Sequence, residues 1–156
     1  IFQRGPVSFV PLFYWYDFSF AHPSKKLNDF WMDFYACRWP SNYDLLKISK
    51  YSLNLNLKNV KTKNKTIVIY SHFLPTLKTL PKLIPSSFDY LHPVLGSHHL
   101  GAQVNYIKPT IHIYGHSHVN VDVTIDNVRY INNALGYPSE EIISRRSLYI
   151  ALDMDS

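Results

Sequence analysis

At 156 residues the chain has the length of one domain, and 46% apolar against 17% charged residues excludes a disordered protein. No apolar run reaches the roughly 20 residues of a membrane-crossing helix, and a single cysteine, Cys37, excludes an internal disulfide or a Cys-x-x-Cys motif and fits a reducing, cytoplasmic setting. The formal charge of +5 admits a phosphate-bearing partner, but Lys58, Lys61, Lys63 and Lys65 stand among Asn and Thr in what reads as a solvated loop, not a nucleic-acid-binding patch.

The chain opens on Ile1 instead of methionine, so a preceding segment is expected. Val7 to Trp15 is an aromatic and β-branched run that predicts a buried strand, with Pro11 marking an edge or a bulge. Asp17 to Pro40 predicts an irregular excursion with a helical turn, packed down by Trp31, Phe34, Tyr35 and Trp39. Ser41 or Asn42 caps a predicted helix from Tyr43 to about Leu55, its apolar face made by Leu45, Leu46, Ile48 and Leu53. Leu53, Leu55 and Leu57 alternate with asparagines, which is a strand-like period at the helix end.

Thr66 to Tyr70 predicts a strand buried on both faces, ending at Ser71 and His72. The four prolines between Phe73 and Pro93 forbid a through-going helix, and a loop this long is usually functional. Gly96 and Ser97 open the next helix, Leu100, Val104 and Ile107 form its stripe, and Pro109 marks its end. Ile111 to Tyr114 completes a βαβ unit, whose parallel strands bring their carboxyl ends to one sheet edge. Beyond it, Val121 to Ile125 and Val128 to Ile131 flank Asp126 and Asn127 in a β-hairpin pattern. Ser147 to Leu152 reads as a closing strand.

The sheet edge carries the chemistry. His72 ends one strand, and His116 and His118 in GHSH follow the next, so three imidazoles are expected to converge. Neutral imidazole is the commonest protein metal ligand, and residues at i and i+2 of an extended segment point the same way. Gly115 is expected to permit a sharp turn and a close approach. The other five histidines read differently: His112 as a packed or half-exposed strand residue, His98 and His99 as surface residues of a first helical turn, His22 and His92 as loop residues. Trp15, Tyr16 and Asp17 line the pocket or serve the core and a turn, Lys78 and Lys82 can meet an anionic substrate, and Asn132 and Asn133 read as turn residues.

SHFLP at His72, GHSH about 40 residues later, the hairpin TIDNVRYINN and LGYP together resemble the calcineurin-like metallophosphoesterases, over most of the chain. VPLFYWYD near the start also resembles a strand of that family. The resemblance implies an α/β fold, the C-terminal part of a β-sandwich flanked by helices, and a site with two divalent ions drawn from Zn, Mn and Fe. It places His72 and His116 on one metal and His118 on the other. A hydroxide between the ions would attack a phosphomonoester or phosphodiester substrate. The family's Asp-x-His, Gly-Asp and Gly-Asn-His motifs are absent from this sequence. Residues 1–156 therefore read as one partial domain, inactive alone. The alternatives are a non-catalytic, partner-binding remnant of the same fold and a basic nucleic-acid-binding domain.

Overall fold

In the computed structural model, which describes residues 1–60, 64–140, 142, 144 and 147–153, six strands form one mixed sheet. In chain order they are β1 (Phe2–Arg4), β2 (Val7–Pro11), β3 (Thr66–Tyr70), β4 (Ile111–Tyr114), β5 (Val121–Ile125) and β6 (Val128–Asn132). Their spatial order is β1-β2-β3-β4-β6-β5, with β2, β3, β4 and β6 parallel and the two edge strands antiparallel. Side chains alternate across the pleat. Val10, Ile69, Tyr114 and Tyr130 face a large core completed by Leu27, Leu74, Val94, Leu100 and Val104. Val7, Val68, Ile111 and Ile131 face the other way into a smaller cluster with Ala151 and Leu152. The chain is thus α/β, with one sheet among the described residues.

Strand β2 is shorter than its apolar run. Pro11 pairs with Tyr70, the last residue of β3, and beyond Leu12, whose N–H reaches Tyr70 O at 2.8 Å, no strand remains to pair with. Proline costs nothing there, because β1 reaches along β2 only as far as Phe9 and takes no bond from position 11. A side chain then stands in for a strand: Asn56 Oδ1 accepts Phe13 N–H at 2.9 Å and its Nδ2 donates to Phe13 O at 2.7 Å. The same Nδ2 donates to Gln103 Oε1 at 2.8 Å, so one buried amide ties three elements together.

Asn56 lies on the helix predicted from Tyr43. That helix, labelled α3 after α1 (Lys25–Phe30) and α2 (Asp33–Ala36) in the excursion, runs over Leu45–Asn59. Its cap is Asp44, whose carboxylate accepts Lys47 N–H at 2.7 Å; neither Ser41 nor Asn42 serves. The alternating leucines are helical after all. The buried stripe is largely polar, Ile48, Ser49, Ser52 and Asn56, which is why apolar spacing misplaced it, and Leu46 is exposed.

Between β3 and β4 the chain is more regular than expected. It forms 3-10 turns at Leu77–Thr79 and Ser86–Leu91, then α4 (His92–Leu95) and α5 (His98–Ile107). Pro93 sits in the first turn of α4, where its missing N–H has no intrahelical use. Leu74 makes a parallel bridge to Gly96, and a Cβ on Gly96 would lie 2.0 Å from Leu74 O, so this crossing requires glycine.

The hairpin follows its sequence signature, with Asp126 and Asn127 at φ of 50° and 64°, the two positive angles of a type I′ turn. The predicted closing strand at Ser147–Leu152 is not one. Ala151 and Leu152 lie on the sheet's face instead of pairing at its edge, held by Arg129 Nη1 donating to Ala151 O at 2.9 Å. The lysines at 61 and 63 lie outside the described residues. Among the described residues, no helix is long and apolar enough to cross a membrane.

Candidate functional site

Strands β3 and β4 are parallel neighbours, so the residues that follow them emerge at the same edge. His72 and His116 meet there: His116 Nδ1 lies 2.9 Å from His72 Nε2, and the rings cross at 72°. Phe73 packs against both rings, and Trp31 from the excursion meets His116 edge-on at 5.8 Å. This apolar collar desolvates the pair only in part: His116 is half-buried, and His72 keeps an exposed edge. Burial, reinforced by neighbouring imidazoles, holds His116 down at about 3, and burial also lowers His72. Both rings are neutral at physiological pH.

Neutrality fixes the tautomer. The carbonyl of Val94 can only accept, so His116 Nε2, 2.9 Å away, carries the proton and Nδ1 keeps a lone pair facing His72. A ring N–H anchored on a backbone carbonyl is the usual support for a metal-binding imidazole. Two nitrogens on one tetrahedral zinc stand about 3.3 Å apart at the usual Zn–N lengths. To admit an ion the observed 2.9 Å pair would need to open by a few tenths of an ångström and His72 would need to move its proton from Nε2 to Nδ1.

His118 goes elsewhere. The segment Gly115–Asn120 is not extended: His116 and His118 both have positive φ, 67° and 55°, so the i, i+2 rule for strands does not apply. His118 Nδ1 lies 2.9 Å from Glu140 Oε2, with the ring against Tyr137. The pairing leaves Nε2 as the free nitrogen. Among the described residues no three His, Cys, Asp or Glu side chains are close enough together to hold one metal ion. The described imidazoles are thus two rings in contact, His72 and His116, and a third, His118, bonded to Glu140.

Gly115 has a different role from the one expected. A Cβ there would meet His72 O and Nδ1 at 3.6 and 3.7 Å, which is ordinary contact; the sharp turning is done by the two histidines. What holds them is Asn132, which reads as a turn residue in the sequence and is in fact the buried last residue of β6. The register aligns Tyr114, Asn132 and Val121 in one row across β4, β6 and β5. The histidine loop, running from Tyr114 to Val121, must therefore pass over Asn132. Its Nδ2 donates to Gly115 O at 3.3 Å and Ser117 Oγ at 2.9 Å, and its buried Oδ1 has no partner. Glu140 was equally illegible, since its link to the site is a contact 22 residues distant in sequence.

The other candidates separate from the pair. Trp15 and Tyr16 line an aromatic cavity between the excursion and α3, whereas Asp17 is buried in a hydrogen-bonded cluster. Its Oδ2 lies 2.8 Å from both Ser97 Oγ and His99 Nδ1; burial opposes its charge, but the bonds from Ser19, Ser97 and His99 prevail and lower its pKa. His99, expected as a free surface residue, is thus held by a buried carboxylate while its ring stays exposed. His112 is fully buried, its Nε2 2.9 Å from Ser71 Oγ, as a packed strand histidine should be. Lys78 lines a different cleft, with His98, Asn105 and Asp126, and Lys82 is exposed. A cleft of about 600 Å³ borders the histidine loop at Ser117, Val119 and Asn120 and is also lined by Glu140, Leu83, Ile84 and Phe88.

No family model matches the chain, and no curated protein matches it in sequence. The structure is similar to that of the phosphopantetheinyl hydrolase PptH from Mycobacterium tuberculosis, with a TM-score of 0.66 and 22% identity over 90% of this chain and 53% of that one. At that identity the likeness is one of fold. These findings correct the family expected from SHFLP, GHSH, the hairpin and LGYP: the neighbour is a phosphopantetheinyl hydrolase whose fold is not established as calcineurin-like, and short motifs after strands describe local geometry that an α/β sheet edge can offer to other lineages. The chain spans about half the length of the solved structure it matches.

Proposed function

We propose that this chain contributes one wall of a phosphoester hydrolase site, within a larger catalytic domain, and that His72, His116 and His118 hold divalent metal ions there, drawn from zinc, manganese and iron. The observation that carries the reading is the anchoring of the rings: Glu140 engages Nδ1 of His118 and leaves its Nε2 for a ligand, while Val94 O fixes the proton of His116 on Nε2 and turns its Nδ1 lone pair to His72, whose Nε2–H it accepts until an ion displaces that proton. Likeness in fold to a hydrolase that spans roughly twice this length supports both the reaction class and the partial domain.

The chain's own residues have definable tasks in such a site. Phe73 and Trp31 pack on His116 and favour its neutral form, which is the form that binds metal. Asn132 holds the loop that carries two of the three ligands. The large apolar cleft beside Ser117 leaves room for the organic part of a phosphomonoester or phosphodiester. Bound at these histidines, divalent ions would neutralise phosphate oxygens and acidify a water molecule.

The test is His116→Ala in the complete protein, read as bound zinc, manganese and iron by elemental analysis and as turnover of a chromogenic phosphoester. Loss of metal together with at least about a hundredfold loss of turnover is expected, at the upper end of what disturbing a ligand shell costs. Unchanged metal content and rate would refute the assignment.

A further inference from the structure

The excursion between β2 and α3 folds its aromatic residues around a second cavity of about 330 Å³, lined by Trp15, Phe18, Phe34, Trp39, Asp33 and Cys37. The rings stand across one another: Trp15 and Trp39 at 77° with centroids 5.2 Å apart, Phe18 and Phe34 at 85° and 6.2 Å. Trp39 remains 44% exposed, so part of its surface is uncovered. The cavity adjoins the histidine pair through two chains of contact. Trp15 packs on Phe73, which packs on His72, and Trp31 both meets His116 and donates Nε1–H to Asp33 Oδ2 at 3.1 Å.

The lining contains a carboxylate, and neither Lys nor Arg. Its field is felt nearby: burial together with the Asp33 charge raises the Tyr16 phenol and the Cys37 thiol. An anion would be repelled here, and a purely apolar guest would cover the half-buried carboxylate with only the Trp31 N–H to offset its charge. A compact ammonium would surrender a strong hydration shell. A quaternary ammonium carries its charge on methyl groups that aromatic faces solvate well.

We propose that this cavity binds a quaternary ammonium group, the cationic arm of a zwitterionic phosphoester whose phosphate reaches the His72–His116 pair. The second half of that statement rests on the phosphoesterase reading; the first does not. Tetramethylammonium titrated into the full chain, followed by tryptophan fluorescence and calorimetry, tests the cavity alone. Saturable binding is expected, weakened about five- to tenfold by Trp39→Ala and by Asp33→Asn and largely retained by Trp39→Phe, the loss that one cation–π or carboxylate contact supplies. No saturable response, or equal affinity in the Trp39→Ala and Asp33→Asn variants, overturns the site. Phosphocholine is then compared with its uncharged isostere 3,3-dimethylbutyl phosphate and with choline. Tighter binding of phosphocholine than of either supports the zwitterionic ligand. Affinity equal to that of the isostere overturns ammonium recognition, and affinity equal to that of choline overturns only the link to a phosphate at the histidines.

Discussion

Replacing Asn132 by Ala and by Asp separates two roles that its amide plays at once. In the native chain Nδ2 makes two bonds to the histidine loop, at 2.9 and 3.3 Å, together worth about 1–2 kcal/mol. Its Oδ1 is buried without a partner, which costs about 1–3 kcal/mol. Ala removes both contributions, so they largely offset and the change in stability should stay within about 1–2 kcal/mol. Asp is different. It sets a second acceptor against Gly115 O and buries a charge, and only Ser117 can turn its hydroxyl to compensate. Asp should therefore cost about 2–4 kcal/mol more than Ala at pH 7, somewhat below the penalty of a buried, unpaired charge. Burial raises the folded-state pKa of that Asp above its unfolded value near 3.9. The penalty is accordingly complete above the folded value and disappears as pH falls toward the unfolded one. Urea unfolding at pH 7 and pH 4.5 reads both quantities, and the ring-proton resonances of His116 and His118 report the loop. Equal stability of the two variants at pH 7 would refute the assignment of Nδ2 as the donor that holds the loop.

Three further outcomes follow from the same geometry. Asn56→Ala strands Phe13 N–H, Phe13 O and Gln103 Oε1 and should cost about 2–4 kcal/mol in chemical denaturation; a cost under about 1 kcal/mol would mean that water replaces the amide without loss. Gly101→Ala should destabilise by about 1–3 kcal/mol although helix propensity alone favours Ala by about 1, because its Cβ would lie 2.3 Å from Pro75 O; a gain in melting temperature would show that the backbone yields. His112 is pushed down to about 3 by burial, below its unfolded value near 6.5, so below pH 6.5 the unfolded chain takes up a proton that the folded chain refuses. Its contribution is complete above pH 6.5 and is lost as pH falls toward 3, at up to about 1.4 kcal/mol per pH unit. His112→Phe should flatten the acid limb of the stability profile by that slope, and an unchanged limb between pH 6.5 and 4.5 would rule out this source.

Local pattern carried much of the fold. Thr66–Tyr70, Ile111–Tyr114 and the Asp126–Asn127 hairpin were legible because each combines a β-branched run with unambiguous punctuation, and the βαβ inference followed. The end of β2 was illegible because it depends on where a partner strand stops, 59 residues away at Tyr70. The buried face of α3 escaped apolar spacing since its central residues are Ser and Asn, each satisfied by tertiary or back-bonded contacts. At the site, the His72–His116 meeting was a topological consequence. The turning of His118 toward Glu140 was not, because it depends on backbone angles that no spacing rule encodes. Family-level likeness was the weakest inference, since short motifs such as SHFLP, GHSH and LGYP constrain loops far more than a lineage.

The row Tyr114, Asn132, Val121 also makes the histidine loop depend on the hairpin. Strand β6 sits between β4 and β5, so two strand spacings, about 9.5 Å, must be crossed by the six residues that bear His116 and His118. Until the hairpin has docked beside β4, the segment has neither its far anchorage at Val121 nor the amide beneath it. The far end of the histidine loop therefore depends on the docked hairpin, and whatever frees the hairpin from β4 releases His118 and removes the amide beneath the loop.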